Sequence, residues 1–315
     1  MTGLLSLVIG IVLLFIGGEG LVRGSVTISE RLQLSTLLIG TIVIGFGTSA
    51  PELVVSLDAV FSGFPDIALG NVIGSNIANT LFVLAIAALI TEIPCRSHQL
   101  NRDAAMGVAA AVFLSLLGLT GSISRMSGLA MVLTLIVYLA YTIWSEKKRT
   151  KNLDKQIKKD IVSKKMSLPI SALMAVISII LLALGAHFLV NGAVSIANYF
   201  GVSKAVIGLT IVAVGTSIPE LVTVCIASWH KHTNMVIGNI LGSNLFNILS
   251  IIGIAAIVKP IPFTGQIAKQ DVWIMVATST VLMIIILSSK KINRWIASVF
   301  LALYCLYVLW LYTLR

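Results

Sequence analysis

Charge is scarce in this sequence. Only 11% of its 315 residues are Asp, Glu, Lys or Arg, less than half of the roughly 25% found in soluble domains. With 57% hydrophobic residues and a mean hydropathy of +1.03, that shortage excludes a water-soluble protein and points to a polytopic membrane protein. Cysteine is nearly absent. Cys95, Cys225 and Cys305 form no close-spaced pair, which excludes a disulfide framework and a thiolate metal centre. Acidic residues are few as well, 12 against 22 basic, for a net charge of +10. That excess invites a nucleic-acid partner, but its placement along the chain argues for membrane topology instead, so no nucleic acid is expected. Residues 1–6 contain no basic residue and the apolar run continues to Val22, so no cleavable signal peptide is expected.

A membrane-spanning helix needs about 20 mostly apolar residues. Ten stretches qualify: 3–22, 36–61, 67–91, 104–122, 127–145, 168–190, 204–229, 234–258, 271–288 and 294–313. Between the fifth and sixth lies a polar stretch, Glu146 to Lys165, with nine Lys or Arg. The expected organisation is therefore a five-helix half at 1–145, a basic linker at 146–167 and a second five-helix half at 168–315. Cytoplasmic loops collect Lys and Arg. Placing the linker inside puts 17 of the 22 basic residues inside and both termini outside.

The two halves repeat each other. At an offset of 168, Gly47-Thr48-Ser49 matches Gly215-Thr216-Ser217, and Pro51-Glu52-Leu53-Val54 matches Pro219-Glu220-Leu221-Val222. In the same register Gly70-Asn71 matches Gly238-Asn239, Gly74-Ser75-Asn76 matches Gly242-Ser243-Asn244, and Asn79 matches Asn247. Each half holds five spans, an odd number, so the copies cross the membrane in opposite senses. The fold class expected is an all-α membrane protein of ten helices in two inverted five-helix repeats. In such proteins the site lies at the midplane on interrupted helices.

The repeated stretch carries the chemistry. Pro51 and Pro219 have no N–H and clash with the carbonyl four residues back, on Gly47 and Gly215. Thr48, Ser49, Thr216 and Ser217 add hydroxyls, and Glu52 and Glu220 add carboxylates. An ionisable residue at bilayer depth is costly and marks function. All these donors are oxygen, which suits hard cations; no His or Cys falls in either stretch. Spacing of four puts Asn71, Ser75 and Asn79 on one helical face, and Asn239, Ser243 and Asn247 on another. Ser75, Asn79, Ser243 and Asn247 are expected to reach the site; Asn71 and Asn239 are weaker candidates, and the adjoining glycines are expected to serve packing. Glu19 and His187 occupy equivalent positions and are expected to be interfacial or bonded to neighbouring helices. Asp58 is expected on another face as a surface charge.

These motifs and their inverted arrangement resemble the cation/Ca²⁺ exchanger superfamily, specifically the Na⁺/Ca²⁺ exchanger family in its prokaryotic form. The motifs G-T-S-x-P-E and G-N-x-x-G-S-N stand in both copies, within alpha-repeats at about 36–91 and 204–258. The resemblance implies that Glu52 and Glu220 hold Ca²⁺ with the backbone carbonyls of Thr48 and Thr216. It implies Na⁺ sites built from the same glutamates, Thr48, Ser49, Ser75, Thr216, Ser217 and Ser243, completed by the carbonyls of Gly45 and Ala213. Asn79 and Asn247 would face the central position. Some family members carry Asp at the position of Asn247. Here both repeats have Asn, giving two carboxylates instead of three, and the Asp associated with K⁺ co-transport is missing. The resemblance further implies a non-enzymatic antiporter with Na⁺ and Ca²⁺ as transported ions, no cofactor, a monomer in the prokaryotic cell membrane, and alternating access by sliding of the first and sixth spans, eased by Gly17, Gly18 and Gly185. An H⁺/Ca²⁺ antiporter is the alternative, since paired glutamates can also trade Ca²⁺ for protons. An intramembrane hydrolase using paired carboxylates and a passive channel are remoter readings.

Overall fold

The computed structural model describes residues 2–95, 97–153, 166–200 and 215–313. Ala213, Lys204, Arg96, Arg315, most of the basic linker and the first part of the seventh expected span lie outside these residues.

The described chain is almost entirely helical. In order it forms α1 (Thr2–Leu32), α2 (Thr36–Thr48), α3 (Ala50–Phe61), α4 (Pro65–Ile90), β1 (Ile93–Pro94), α5 (His98–Leu119), β2 (Ser122–Ile123) and α6 (Arg125–Leu153). The second half forms α7 (Leu168–Tyr199), α8 (Ile218–Trp229), α9 (Thr233–Val258), β3 (Ile261–Pro262), α10 (Ile267–Ser288), β4 (Lys291–Ile292) and α11 (Arg294–Thr313). Among the described residues eight helices are long and apolar enough to cross a membrane, nine if α2 and α3 are one span bent by 41°. α8 is apolar but only 12 residues long.

Three helices outrun their expected ends, α1 and α7 for one reason. α1 continues to Leu32 and α7 to Tyr199, about ten residues beyond the apolar runs at 22 and 190. Arg23, Glu30 and Arg31 therefore ride on a helix and not in a loop. At 1.5 Å per residue, 31 residues reach about 45 Å, more than the bilayer core of about 30 Å. The reason is a seam running the whole length of the pair. Gly3, Gly10, Gly17 and Gly24 recur every seven residues on α1, and they meet Gly192, Gly185, Ser178 and Ser171 of α7 in reverse order. A Cβ on Gly10 would stand 2.5 Å from the Leu189 nitrogen, and one on Gly192 would stand 2.6 Å from the Leu7 nitrogen. Small residues let the two backbones touch, and a seven-residue period keeps the seam in line over many turns. α6 likewise continues past 145 to Leu153, carrying a buried Glu146 whose Oε1 accepts from the Ser35 amide at the start of α2, 3.1 Å away.

α4 and α9 form the centre. Of their most apolar 18 residues, 72% and 89% are buried in the protein, against a third or less for the other full spans. Both carry the polar stripes, and both contain a π-helical segment, Asn79–Val83 in α4 and Phe246–Ile252 in α9. π segments concentrate at functional sites because they turn a side chain off the regular helical face. The backbone of α2 lies directly on α9: a Cβ on Gly238 would meet the Leu37 carbonyl oxygen at 2.3 Å, and one on Gly242 the Thr41 oxygen at 2.3 Å. These glycines pack as expected.

Two short antiparallel ribbons join the halves. Ile93 pairs with Ile292, and Ile123 with Ile261. The first ribbon brings the loop after α4 beside the loop after α10; the second joins the loop after α5 to the loop after α9. Each therefore closes one end of the bundle using one strand from each half. The register of 168 holds here too, since Ile93-Pro94 matches Ile261-Pro262 and Asp103 matches Asp271. Both aspartates are buried, and Asp103 accepts from the Tyr138 hydroxyl at 2.5 Å.

Candidate ion-binding site

The helix break in the first repeat is a restart. Ser49 has φ −83° and ψ 2°, outside the helical basin, and Ser217 has φ −88° and ψ 5°. The Ser49 amide closes the first segment on the Gly45 carbonyl at 3.2 Å; the Leu53 amide opens the next on the Ser49 carbonyl at 3.2 Å. Pro51 and Pro219 sit in the first turn of α3 and α8, where a missing N–H costs nothing. Each proline thus stands in the first turn of the helix that follows the interruption. The restart also puts Glu52 and Glu220 in a first turn, where the positive end of the helix dipole favours a carboxylate.

Both glutamates are fully buried, at 0% exposure. Among the described residues neither forms an ion pair with a basic side chain. The two repeats meet across them. The Ser49 hydroxyl donates to Glu220 Oε1 at 3.3 Å. The Asn71 amide donates to the Glu52 carbonyl at 3.3 Å, while its Oδ1 accepts from the Thr216 hydroxyl at 3.4 Å. On the other side the Ser243 hydroxyl donates to the Gly45 carbonyl at 3.2 Å, and Thr48 Oγ1 lies 3.4 Å from Ser243 Oγ and 3.3 Å from Asn239 Oδ1.

Helical spacing alone underrates Asn71 and Asn239. Both side chains touch the threonines of the opposite repeat. Ser75 is buried on α4 with its stripe; Ala213 lies outside the described residues. Asn79 and Asn247 are fully buried, bonded through their amide nitrogens to Asn244 and Asn76. Those two asparagines and Thr80 also lie beside the site. The available signal for them is that Asn76 and Asn244 close the repeated G-S-N triplet. Asp58 is exposed as expected. Glu19 accepts from Arg23 and lies 2.9 Å from His230 Nε2, whereas His187 pairs with Asn191 on its own helix at 2.9 Å.

Several buried oxygens have no hydrogen-bond partner among the described residues. Those near the two glutamates include Glu52 Oε1 and Oε2, Glu220 Oε2, Asn79 Oδ1, Asn247 Oδ1 and Ser217 Oγ. All but the serine hydroxyl can only accept while the glutamates are ionised. A buried acceptor without a donor is expensive, and a group of them around two carboxylates fits a hard cation, which takes its ligands as oxygen.

Broken helices carrying buried carboxylates at the contact of two repeats, within a bundle of apolar spans, define a multi-pass membrane transporter for hard cations. Comparison with known proteins places it more narrowly. The profile of the family described as sodium/calcium exchanger protein matches residues 2–144 and 170–313, and the chain belongs to that family. It is a transporter and not an enzyme. The putative antiporter CaxA of Alkalimonas amylolytica is 32% identical, covering 91% of this chain and 90% of that one. The sodium/calcium exchanger MaX1 of Methanosarcina acetivorans is 27% identical, covering 98% of each. A solved structure of the sodium-calcium exchanger NCX_Mj, soaked with Na⁺ and Sr²⁺, superposes with a TM-score of 0.84 at 29% identity, over 100% of this chain and 99% of the other.

Proposed function

We propose that this protein is a secondary active antiporter exchanging Na⁺ for Ca²⁺ by alternating access, with the two loads competing for one set of midplane oxygens. The observation that carries the proposal is the cluster of acceptor oxygens on Glu52, Glu220, Asn79 and Asn247. Glu52 and Glu220, with the carbonyls of Thr48 and Thr216, are the Ca²⁺ ligands. The hydroxyls of Thr48, Ser49, Ser75, Thr216, Ser217 and Ser243 and the carbonyls of Gly45 and Ala213 extend the set for Na⁺. Two ionised glutamates neutralise one Ca²⁺, whereas three Na⁺ would leave one positive charge, so exchange at that ratio is electrogenic. Each charge crossing the membrane contributes about 2.3 kcal/mol per 100 mV.

The architecture in this reading is ten spans in two inverted repeats, 1–145 and 168–315, joined by the basic linker on the cytoplasmic side, with both termini outside. The antiparallel α1–α7 seam, the two ribbons that each take a strand from either half, and the register of 168 reaching Asp271 all support it. α1 and α7 move as one body. Gly17 and Gly185 bind the pair to itself, and of the three glycines expected to ease sliding only Gly18 faces the bundle, against Ile226 of α8. This revises the expectation that all three ease sliding over the bundle.

The hydroxyl and carbonyl oxygens around the glutamates favour Na⁺ over H⁺ as counter-ion, because a proton needs no such ligands. The test is Ca²⁺ uptake into proteoliposomes under an outward Na⁺ gradient, and separately under a pH gradient without Na⁺. Uptake in the first condition is expected. Uptake confined to the second makes the protein an H⁺/Ca²⁺ antiporter, and Ca²⁺ flux with no counter-ion makes it a channel.

A further inference from the structure

A carboxamide has two ends that look alike in shape and opposite in chemistry: the oxygen accepts, the NH₂ donates. For Asn247 to serve a cation it must present its oxygen, since the amide end would push a cation away. Its orientation is decided further along a chain of hydrogen bonds. Asn76 Nδ2 lies 3.2 Å from the backbone carbonyl of Asn244 and 3.6 Å from the Met275 sulfur. A carbonyl oxygen and a thioether can only accept, so the donor end of Asn76 must face them. That leaves Asn76 Oδ1 as the atom 3.0 Å from Asn247 Nδ2. An acceptor there demands the donor end of Asn247 and leaves its Oδ1 as the free end, without a partner among the described residues. Asn76 and Asn247 are both buried, at 1% and 0% exposure, so bulk water does not compete for either bond.

The mirror position is built less strictly. Asn79 Nδ2 donates to Asn244 Oδ1 at 3.3 Å, and Asn244 Nδ2 donates in turn to Thr80 Oγ1 at 3.1 Å. A hydroxyl can donate or accept, so this second chain ends on a group that would tolerate either orientation. The obligate acceptor that fixes Asn247 has no equivalent in it.

We propose that Asn76, from the first repeat, is a positioning residue that holds the Asn247 carboxamide oxygen toward the ion site of the second. The proposal rests on the reading above that Asn247 contributes to that site. Without Asn76 the Asn247 side chain has no bond that distinguishes its two ends, and it presents its amide to the site for part of the time. An aspartate in place of Asn247 needs no such partner, because it offers oxygen at both ends, and there the Asn76 oxygen opposes it.

The experiment is Na⁺-driven Ca²⁺ uptake in proteoliposomes, reading the half-saturating Na⁺ concentration and the maximal rate for Asn76→Ala, Asn247→Ala, Asn247→Asp and the double variant Asn76→Ala with Asn247→Asp. Asn76→Ala is expected to raise half-saturating Na⁺ about tenfold, the size of one hydrogen bond to a charged group, with the maximal rate within about twofold. In the Asn247→Asp background the same substitution is expected to raise it by less than about twofold, since either end of a carboxylate presents oxygen. An equal rise in both backgrounds makes Asn76 merely structural and overturns the proposal. So does an unchanged Asn76→Ala alongside a shifted Asn247→Ala. If Asn247→Ala itself leaves half-saturating Na⁺ and Ca²⁺ unchanged, the assignment of Asn247 to the site falls, and this proposal with it. Asn76→Leu, which keeps the shape without the hydrogen-bonding atoms, replaces Asn76→Ala if the alanine form is not monodisperse, with the same expected shifts.

Discussion

The stretches Gly47–Glu52 and Gly215–Glu220 match at five of six positions and adopt the same break, yet they are not equally satisfied. On the first, Ser49 donates to the opposite glutamate, and Thr48 shares its hydroxyl with Ile44, Ser243 and Asn239. On the second, Ser217 Oγ has no partner among the described residues, and neither oxygen of the Glu52 carboxylate it would mirror onto is bonded to one. Nearly equal sequence thus leaves the two serines with different partners among the described residues.

The strongest way to break this two-half description is at the glutamates. Glu52→Gln and Glu220→Gln each remove one of only two charges, and each is expected to lower the Ca²⁺ uptake rate by roughly 100-fold or more, the loss of a charge-assisted contact in a buried site. Their different surroundings should not protect either one. A near-normal rate in either variant would mean that the halves do not share a site.

The next effect is on folding. Gly242 brings α9 onto the backbone of α2, where an added Cβ would stand 2.3 Å from a carbonyl oxygen. Gly242→Ala is expected to cost about 1–3 kcal/mol, read as a lower Tm in detergent. An unchanged Tm would show that the close contact beside Ser243 can relax, and with it the Gly45–Ser243 bond.

The serines sharpen the comparison most directly. Ser217→Ala removes an oxygen bonded to none of the described residues, so half-saturating Na⁺ should rise several-fold with Tm unchanged. Ser49→Ala removes a bond to Glu220 as well, so Tm should also fall by the equivalent of about 1 kcal/mol. Identical behaviour of the two variants would erase the distinction between the halves.

Much of this is legible in the sequence. The repeat, the paired glutamates and the polar stripes all follow from residue identities at one offset. Asn71 and Asn239 look remote because an ideal helix places them two turns from the last asparagine. Their partners are Thr216 and Thr48 of the opposite repeat, 145 and 191 residues away, and spacing within one helix does not show a contact between helices. The prolines mark the interruptions, and the backbone adds that they sit in a first turn. The α1–α7 seam is hidden differently. Gly3, Gly10, Gly17 and Gly24 stand at a strict period of seven in the sequence, but spans stand out by hydropathy, in which glycine is nearly silent. The lengths of α1 and α7 are hidden with it, because their ends are polar and the partner helix is what holds them helical.

The smallest effect is expected where the repeats diverge most. Glu19 and His187 hold the same position, yet Glu19 reaches across to His230 in the turn before α9, while His187 stays on its own helix with Asn191. Arg23, the other partner of Glu19, keeps 68% of its side chain exposed, and His230 keeps 38%. Pairs this open to solvent contribute about 0–1 kcal/mol. Glu19→Gln should therefore change Ca²⁺ uptake by less than about twofold, and His187→Ala by no more. The two variants differ in what an unexpected result would teach. A tenfold loss in Glu19→Gln at normal Tm would mean that the bridge between α1 and the α8–α9 turn governs movement of the α1–α7 pair. The same loss in His187→Ala could not be explained by its bond to Asn191, and would place that face of α7 on the ion path itself.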